Sequence, residues 1–217
     1  MTMENEFEFI AIEGVIGVGK TSLAKLLTER HNARLVLEQF EDNPFLPKFY
    51  EDRERYAFPT QMSFLASRFQ QQQEMLNKDL FQQMTISDYI FEKDRIFARL
   101  NLEDDELALY DTIFKIMAGI SAQPDLVIYL QSNVDRLMQN IQERDRDYER
   151  DISRSYLQEL SDAYNNFFHH YNKSPLMIIN TSEIDFVSNE KHLDYIEEQI
   201  FNQPVRGNTH IHIIPDD

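Results

Sequence analysis

Gly14-Val15-Ile16-Gly17-Val18-Gly19-Lys20-Thr21 is the stretch on which the reading of this chain turns. It fits GxxxxGK[ST], and its flanks supply the context that motif needs. FEFIAIEG (Phe7 to Gly14) reads as a buried strand, and TSLAKLLTERH (Thr21 to His31) as a helix with Leu23, Leu26 and Leu27 on one face. Glycines permit a turn whose backbone N–H groups converge on phosphate oxygens, and the helix that follows adds its positive end. Lys20 then reaches a transferring phosphoryl group, and the Thr21 hydroxyl is a candidate ligand for Mg²⁺. Gly14, Val15, Ile16, Gly17, Val18, Gly19, Lys20, Thr21 and Ser22 are the candidate contacts to a nucleotide.

Composition points to the same loop. The chain has 217 residues and 5 glycines, three of them in this turn. An average chain of this length carries about 15. The other two are Gly119 and Gly207.

Outward from the loop, RLVLE (Arg34 to Glu38), MTIS (Met84 to Ser87), PDLVIYLQ (Pro124 to Gln131) and PLMIIN (Pro175 to Asn180) are short apolar strands. Helical patterns fall between them: Pro59 to Leu80, Ile90 to Ala98, Leu107 to Ile120, Val134 to Gln142 with Asn133 or Ser132 as cap, Ser155 to His170, and His192 to Phe201. Asn43 to Tyr50 reads as a loop and short helix, with Pro47 in a first turn. Apolar strands alternating with helices predict an α/β fold, a five-stranded parallel sheet flanked by helices. One domain spanning 1–217 is expected, with an arginine-bearing lid at about 143–153. The tail at 204–217 reads either as an edge strand or as loose chain.

Charge and chemistry narrow the function. With 38 acidic and 21 basic residues the formal charge is -17, which argues against binding nucleic acid over a broad surface. No cysteine is present, so disulfides, thiol catalysis and cysteine-held metals are excluded. The N-terminus has no secretory pattern and no run approaches the roughly 20 apolar residues of a membrane span. A cytoplasmic protein without a membrane partner is the expectation.

Asp88 follows the third strand and Glu38 ends the second, at the edge where parallel sheets place ligands. Two carboxylates beside a phosphate loop suit phosphoryl transfer to a hydroxyl, one taking the acceptor proton and the other holding metal. The arginines of QERDRDYERD, from Glu143 to Asp151, suit a segment that closes over ATP. GTPase patterns, DxxG and NKxD, do not occur.

Together these residues resemble the deoxynucleoside kinase family, from the phosphate loop to about Phe186, with the bacterial deoxyadenosine and deoxyguanosine kinases most similar. The resemblance implies a P-loop NTPase fold, ATP and Mg²⁺ as cofactors, a deoxynucleoside acceptor and a homodimer. It makes Glu38 in LEQFEDNPFL the general base on the sugar 5'-hydroxyl, and Tyr50 and Glu149 the partners of the 3'-hydroxyl. It places Gln61, Arg68 and Asp94 at the base, Arg144 and Arg146 in the lid, and Asp185-Phe186 against the adenine of ATP. Tyr156 matches a family tyrosine, and Phe45, Phe49, Phe64 and Phe91 are candidates for the slot around the base. Two positions depart from the pattern. Tyr89 stands where the family has an arginine after the acid, with Lys93 or Arg95 as possible replacements, and Asp145 stands where the lid commonly has glycine.

The reading carried furthest is 5'-phosphorylation of a deoxynucleoside, deoxyadenosine first, with deoxyguanosine or deoxycytidine as other acceptors. Catalysis would fall to Glu38, Lys20, Asp88, Arg144 and Arg146, and the metal to Thr21 and Asp88. Two alternatives stay open: a nucleoside monophosphate kinase such as thymidylate kinase, with Arg53 and Arg68 on the acceptor phosphate, and a nucleotide-binding partner subunit that has lost turnover.

Overall fold

The computed structural model describes residues 7–40, 42–75, 83–146, 149–150, 152–202 and 208–212, the last of these as backbone. Its centre is β1 (Phe9–Gly14), buried at every position, as the apolar run Phe9 to Ile12 demands of a strand covered on both faces, with Glu13 buried beside it. β2 (Arg34–Val36), β3 (Thr85–Ser87), β4 (Leu126–Gln131) and β5 (Leu176–Asn180) complete the expected five strands. A sixth, β6 (Asn208–His212), extends the sheet beside β5, so this part of the tail is an edge strand. The order is β2-β3-β1-β4-β5-β6 and every pairing is parallel.

Chain order reverses at β1, which lies between β3 and β4. Ligands of open parallel sheets bind at the carboxyl ends of strands beside such a reversal. β1 ends at Gly14, β3 one residue before Asp88, and β2 two residues before Glu38. The phosphate loop and both carboxylates are thereby gathered at one edge of the sheet.

The helices are α1 (Lys20–His31), α2 (Leu46–Glu51), α3 (Arg53–Met75), α4 (Asp94–Asn101), α5 (Asp104–Ala118), α6 (Val134–Arg144), α7 (Arg154–His169) and α8 (Glu190–Asn202). A 3₁₀ turn, Phe91–Lys93, opens α4. Asn133 caps α6, its side chain accepting from the Arg136 N–H.

α3 departs most from expectation. It begins at Arg53, and Pro59 lies inside it. The Asp52 side chain accepts the Arg55 N–H at 3.3 Å, a start signal that outweighs the one backbone bond Pro59 removes. The part of the expected helix beyond Gln70 to Met75, at 76–80, lies outside the described residues. α3, α4 and α5 enclose a small core of Leu65, Phe91, Ala98, Tyr110 and Phe114 beside the main one. No helix among the described residues is long and apolar enough to cross a membrane.

Candidate functional site

The loop between β1 and α1 is built as its glycines require. Gly17 and Gly19 sit at φ +87° and +99°, where side-chain-bearing residues are strained. A Cβ on Gly19 would come within 2.7 Å of the Phe186 ring, and one on Gly17 within 2.8 Å of the Leu137 carbonyl. Asn140 of α6 donates to the Gly17 carbonyl at 2.8 Å, tying the loop to the helix that leads into the lid. The Lys20 ammonium lies on the loop's own carbonyls, Gly14 at 2.7 Å and Val15 at 3.2 Å. Burial, then the nearby Lys93 charge, lower its pKa to about 8.

Asp88 joins the loop to the second strand's end. Its Oδ2 accepts the Thr21 hydroxyl at 2.5 Å and its Oδ1 accepts the Glu38 N–H at 2.7 Å. The Glu38 carboxylate faces the cleft between two cations. Oε1 accepts from Arg68 of α3, through Nε at 2.8 Å and also through Nη2, and Oε2 accepts from Lys93 at 2.6 Å. Burial by itself would raise the Glu38 pKa, but Arg68 and then Lys93 outweigh it and bring it down to about 2. Glu38 is therefore ionised at neutral pH.

Arg68 reaches past Glu38 to Asp94, whose other oxygen accepts the Tyr110 hydroxyl at 2.6 Å. Gln61 donates to the Asp94 backbone carbonyl at 2.9 Å. Asp94 itself is fully buried and stands behind Arg68, so Gln61 and Arg68 form the cleft wall while Asp94 supports them. The Asp94 carboxylate is thus paired with Arg68 and does not itself line the cleft.

These groups line one cleft of about 920 Å³, which takes in Gly17, Lys20, Thr21, Glu38, Phe49, Tyr50, Gln61, Phe64, Arg68, Asp88, Arg144, Arg146, Glu149 and Tyr156. Arg144 donates to Glu149 through Nε at 3.1 Å, and Arg146 lies 3.5 Å from the same carboxylate with its guanidinium 4.4 Å over Phe40. A second cleft, of about 930 Å³, shares Gly17 and Arg144 and adds Val18, Gly19, Ser22, Asp185 and Phe186. Val15 and Ile16 divide: Ile16 lines the first cleft, while Gly14 and Val15 line neither and offer carbonyls to Lys20.

The site thus gathers most of the residues read from sequence and leaves some aside. Phe49 and Phe64 line the first cleft, whereas Phe91 stacks on Phe114 at 5.1 Å in the small core and Phe45 stands at the N-cap of α2. Arg95 turns to Asp111 at 3.3 Å, so of Lys93 and Arg95 it is Lys93 that pairs with Glu38, beside Arg68. Tyr89 is fully buried. Asp145 has φ +49°, the left-handed region that explains why glycine suits this position, and its carboxylate is bridged by Arg150 at 2.8 Å. Sequence reasoning missed Phe40, Phe97, Asn101 and Tyr164 on the cleft wall, and it missed Tyr110 and Glu13 behind it. Of these only Glu13 had a signal, a lone acid inside the apolar run FIAIEG.

Comparison with known proteins agrees with this geometry. The family described as "Deoxynucleoside kinase" matches residues 10–206. The chain is 31% identical to the deoxyadenosine/deoxycytidine kinase of Bacillus subtilis (strain 168), over 88% of this chain and 90% of the relative. It is 34% identical to the deoxyadenosine kinase of Dictyostelium discoideum, over 92% and 85%. It is also 35% identical to the B. subtilis deoxyguanosine kinase, over 74% and 78%. The solved deoxyadenosine kinase from M. mycoides with bound dATP has the same fold, with a TM-score of 0.78 over 89% of this chain and 98% of that one, at 22% identity. The fold is that of the solved enzyme, and the family match together with the sequence relatives shows that the chain belongs to the deoxynucleoside kinase family.

Proposed function

We propose that the chain moves the terminal phosphoryl group of ATP to the 5'-hydroxyl of deoxyadenosine, with deoxyguanosine and deoxycytidine as further acceptors. The observation that carries this is the Glu38 carboxylate, ionised between Arg68 and Lys93 on the wall that also holds Lys20 and Thr21. In this reading Glu38 accepts the proton of the 5'-hydroxyl, the freed oxygen attacks the terminal phosphorus, and the bond to ADP breaks. Lys20, Arg144 and Arg146 offset the charge on the transferring group, and the segment at about 143–153 excludes water as a lid. Tyr50 and Glu149 receive the 3'-hydroxyl, Gln61 and Arg68 the base edge, and Asp185 with Phe186 the adenine of ATP. Gln61 offers both a donor and an acceptor, which suits a purine or cytosine edge.

Thr21 and Asp88 fit a magnesium ion, since they set a hydroxyl and a carboxylate oxygen 2.5 Å apart beside the loop. Mg²⁺ favours such hard oxygens, with phosphates and waters completing its shell, and when bound it neutralises charge on phosphate oxygens. The monophosphate reading would set Arg53 and Arg68 on the acceptor phosphate, and each already has another partner. Arg53 lies 4.1 Å over Tyr156, and Arg68 is held by Glu38 and Asp94.

A homodimer through α5 is supported by that helix's outer face, where Leu109 and Ile116 are 52% and 70% exposed, and by Ile120 in the turn just after it, 51% exposed. The test of the function is phosphoryl transfer from ATP to each of the four deoxynucleosides and to their monophosphates. Deoxyadenosine should give the highest kcat/KM, and turnover of a monophosphate with no nucleoside product would overturn the proposal.

A further inference from the structure

α6 lies against the phosphate loop at Gly17. A Cβ there would come within 2.8 Å of the Leu137 carbonyl and 2.9 Å of Ile141 Cγ1, so helix and loop meet directly. Asn140, half-buried on the same side, donates to the Gly17 carbonyl at 2.8 Å. Residues 137, 140 and 141 stand at i, i+3 and i+4 and share one face of the helix, which residue 144 at i+7 continues. Arg144 is the last residue of α6 and lines both clefts. Arg146 follows the left-handed turn at Asp145, φ +49°, and lines the first cleft.

We infer that Asn140 is a positioning residue for Arg144: its bond to Gly17 sets α6 on the phosphate loop so that Arg144, one turn further on, stands at the phosphates of the donor. This deepens the kinase reading and rests on it for the identity of the ligand. Val134, Leu137 and Ile141 bury the apolar side of α6, but apolar burial is non-directional, whereas a hydrogen bond fixes distance and angle. The loop has bonds of its own. The Val18 N–H reaches the Val15 carbonyl at 3.2 Å, and the Lys20 ammonium binds the Gly14 and Val15 carbonyls. The Asn140 bond therefore registers the helix on a loop that is already formed. Glu149, accepting from Arg144 Nε at 3.1 Å, steers the guanidinium from the other side. Arg146 is placed by a different contact, its guanidinium 4.4 Å over Phe40, and owes nothing to Asn140.

The test is a double-mutant cycle read by equilibrium binding of an ATP analogue with an imido group between its β- and γ-phosphates, which binds without transfer. Asn140→Leu keeps the size of the side chain and removes its N–H, and Asn140→Ala controls for the bulk of leucine. Each should weaken binding of the analogue about fivefold in the otherwise unchanged protein. With Arg144→Ala present the same change should cost less than about twofold, and with Arg146→Ala about fivefold again. The kcat/KM for ATP should follow the same pattern. An unchanged affinity in both Asn140 variants would overturn the inference. So would an equal loss with and without Arg144, or a loss that disappears as fully with Arg146→Ala. Lack of phosphoryl transfer by a protein that still binds the analogue would overturn the kinase reading, and the binding cycle would still decide the role of Asn140. A protein that does not bind the analogue would overturn both.

Discussion

At the scale of single residues, the site is a set of charges that restrain one another. Glu38 is a carboxylate with a cation on each oxygen, held by a backbone bond to Asp88. Glu38→Gln keeps the shape and removes the proposed proton acceptor. Turnover should fall by a factor of about 10² or more while ATP affinity, measured by equilibrium binding, changes little. Unchanged turnover would move the base elsewhere. Tyr110 is a different case, because it does not itself line the cleft and bonds Asp94, which pairs with Arg68. A buried bond to a charged group is worth about 1.5–3 kcal/mol, so Tyr110→Phe should let Arg68 reorient. The ratio of kcat/KM among the deoxynucleosides should shift several-fold, more than kcat on the best of them. These two residues also mark what the sequence could reveal. Glu38 was legible because it closes the run RLVLE, two residues past the end of β2. Tyr110 was not, because its partner lies 16 residues away and only the packing of α5 on α4 brings them together.

At the scale of elements, the phosphate loop depends on a segment far along the chain. Phe186 occupies the space a side chain on Gly19 would need, at a backbone angle only glycine adopts freely. Gly19→Ala meets both obstacles, and strain of this kind costs about 1–3 kcal/mol. ATP affinity should drop by about tenfold or more. Adding Phe186→Ala should recover only part of the loss, since the angle remains; full recovery in an ATP-binding titration would show that steric contact alone was at issue. Strands buried on both faces were readable as apolar runs, and β1, β4 and β5 fall where their runs do. α3 was harder to read. Pro59 is an ordinary first-turn residue, but here the Asp52 cap starts the helix before it.

For the whole molecule, α5 has two unlike faces. Tyr110 and Phe114 turn inward to the small core, while Leu109 and Ile116, with Ile120 just past the helix end, are exposed. If that outer face is the subunit contact, sedimentation should give twice the 25.9 kDa chain mass, and Ile116→Glu should bring it to one. A single-chain mass in the unchanged protein would remove the dimer. The Asp88 carboxylate has a consequence of its own, since one oxygen serves the loop threonine and the other serves the backbone of Glu38. In the proposed mechanism, nucleotide handling and acceptor activation therefore share a pivot, and changing residue 88 should disturb both. In a double-mutant cycle, Asp88→Asn combined with Glu38→Gln should cost clearly less than the two losses summed, because the first change has already dislodged what the second removes. Any route by which this enzyme acquires a new acceptor must run through neighbours of Asp88 and leave the pivot itself in place.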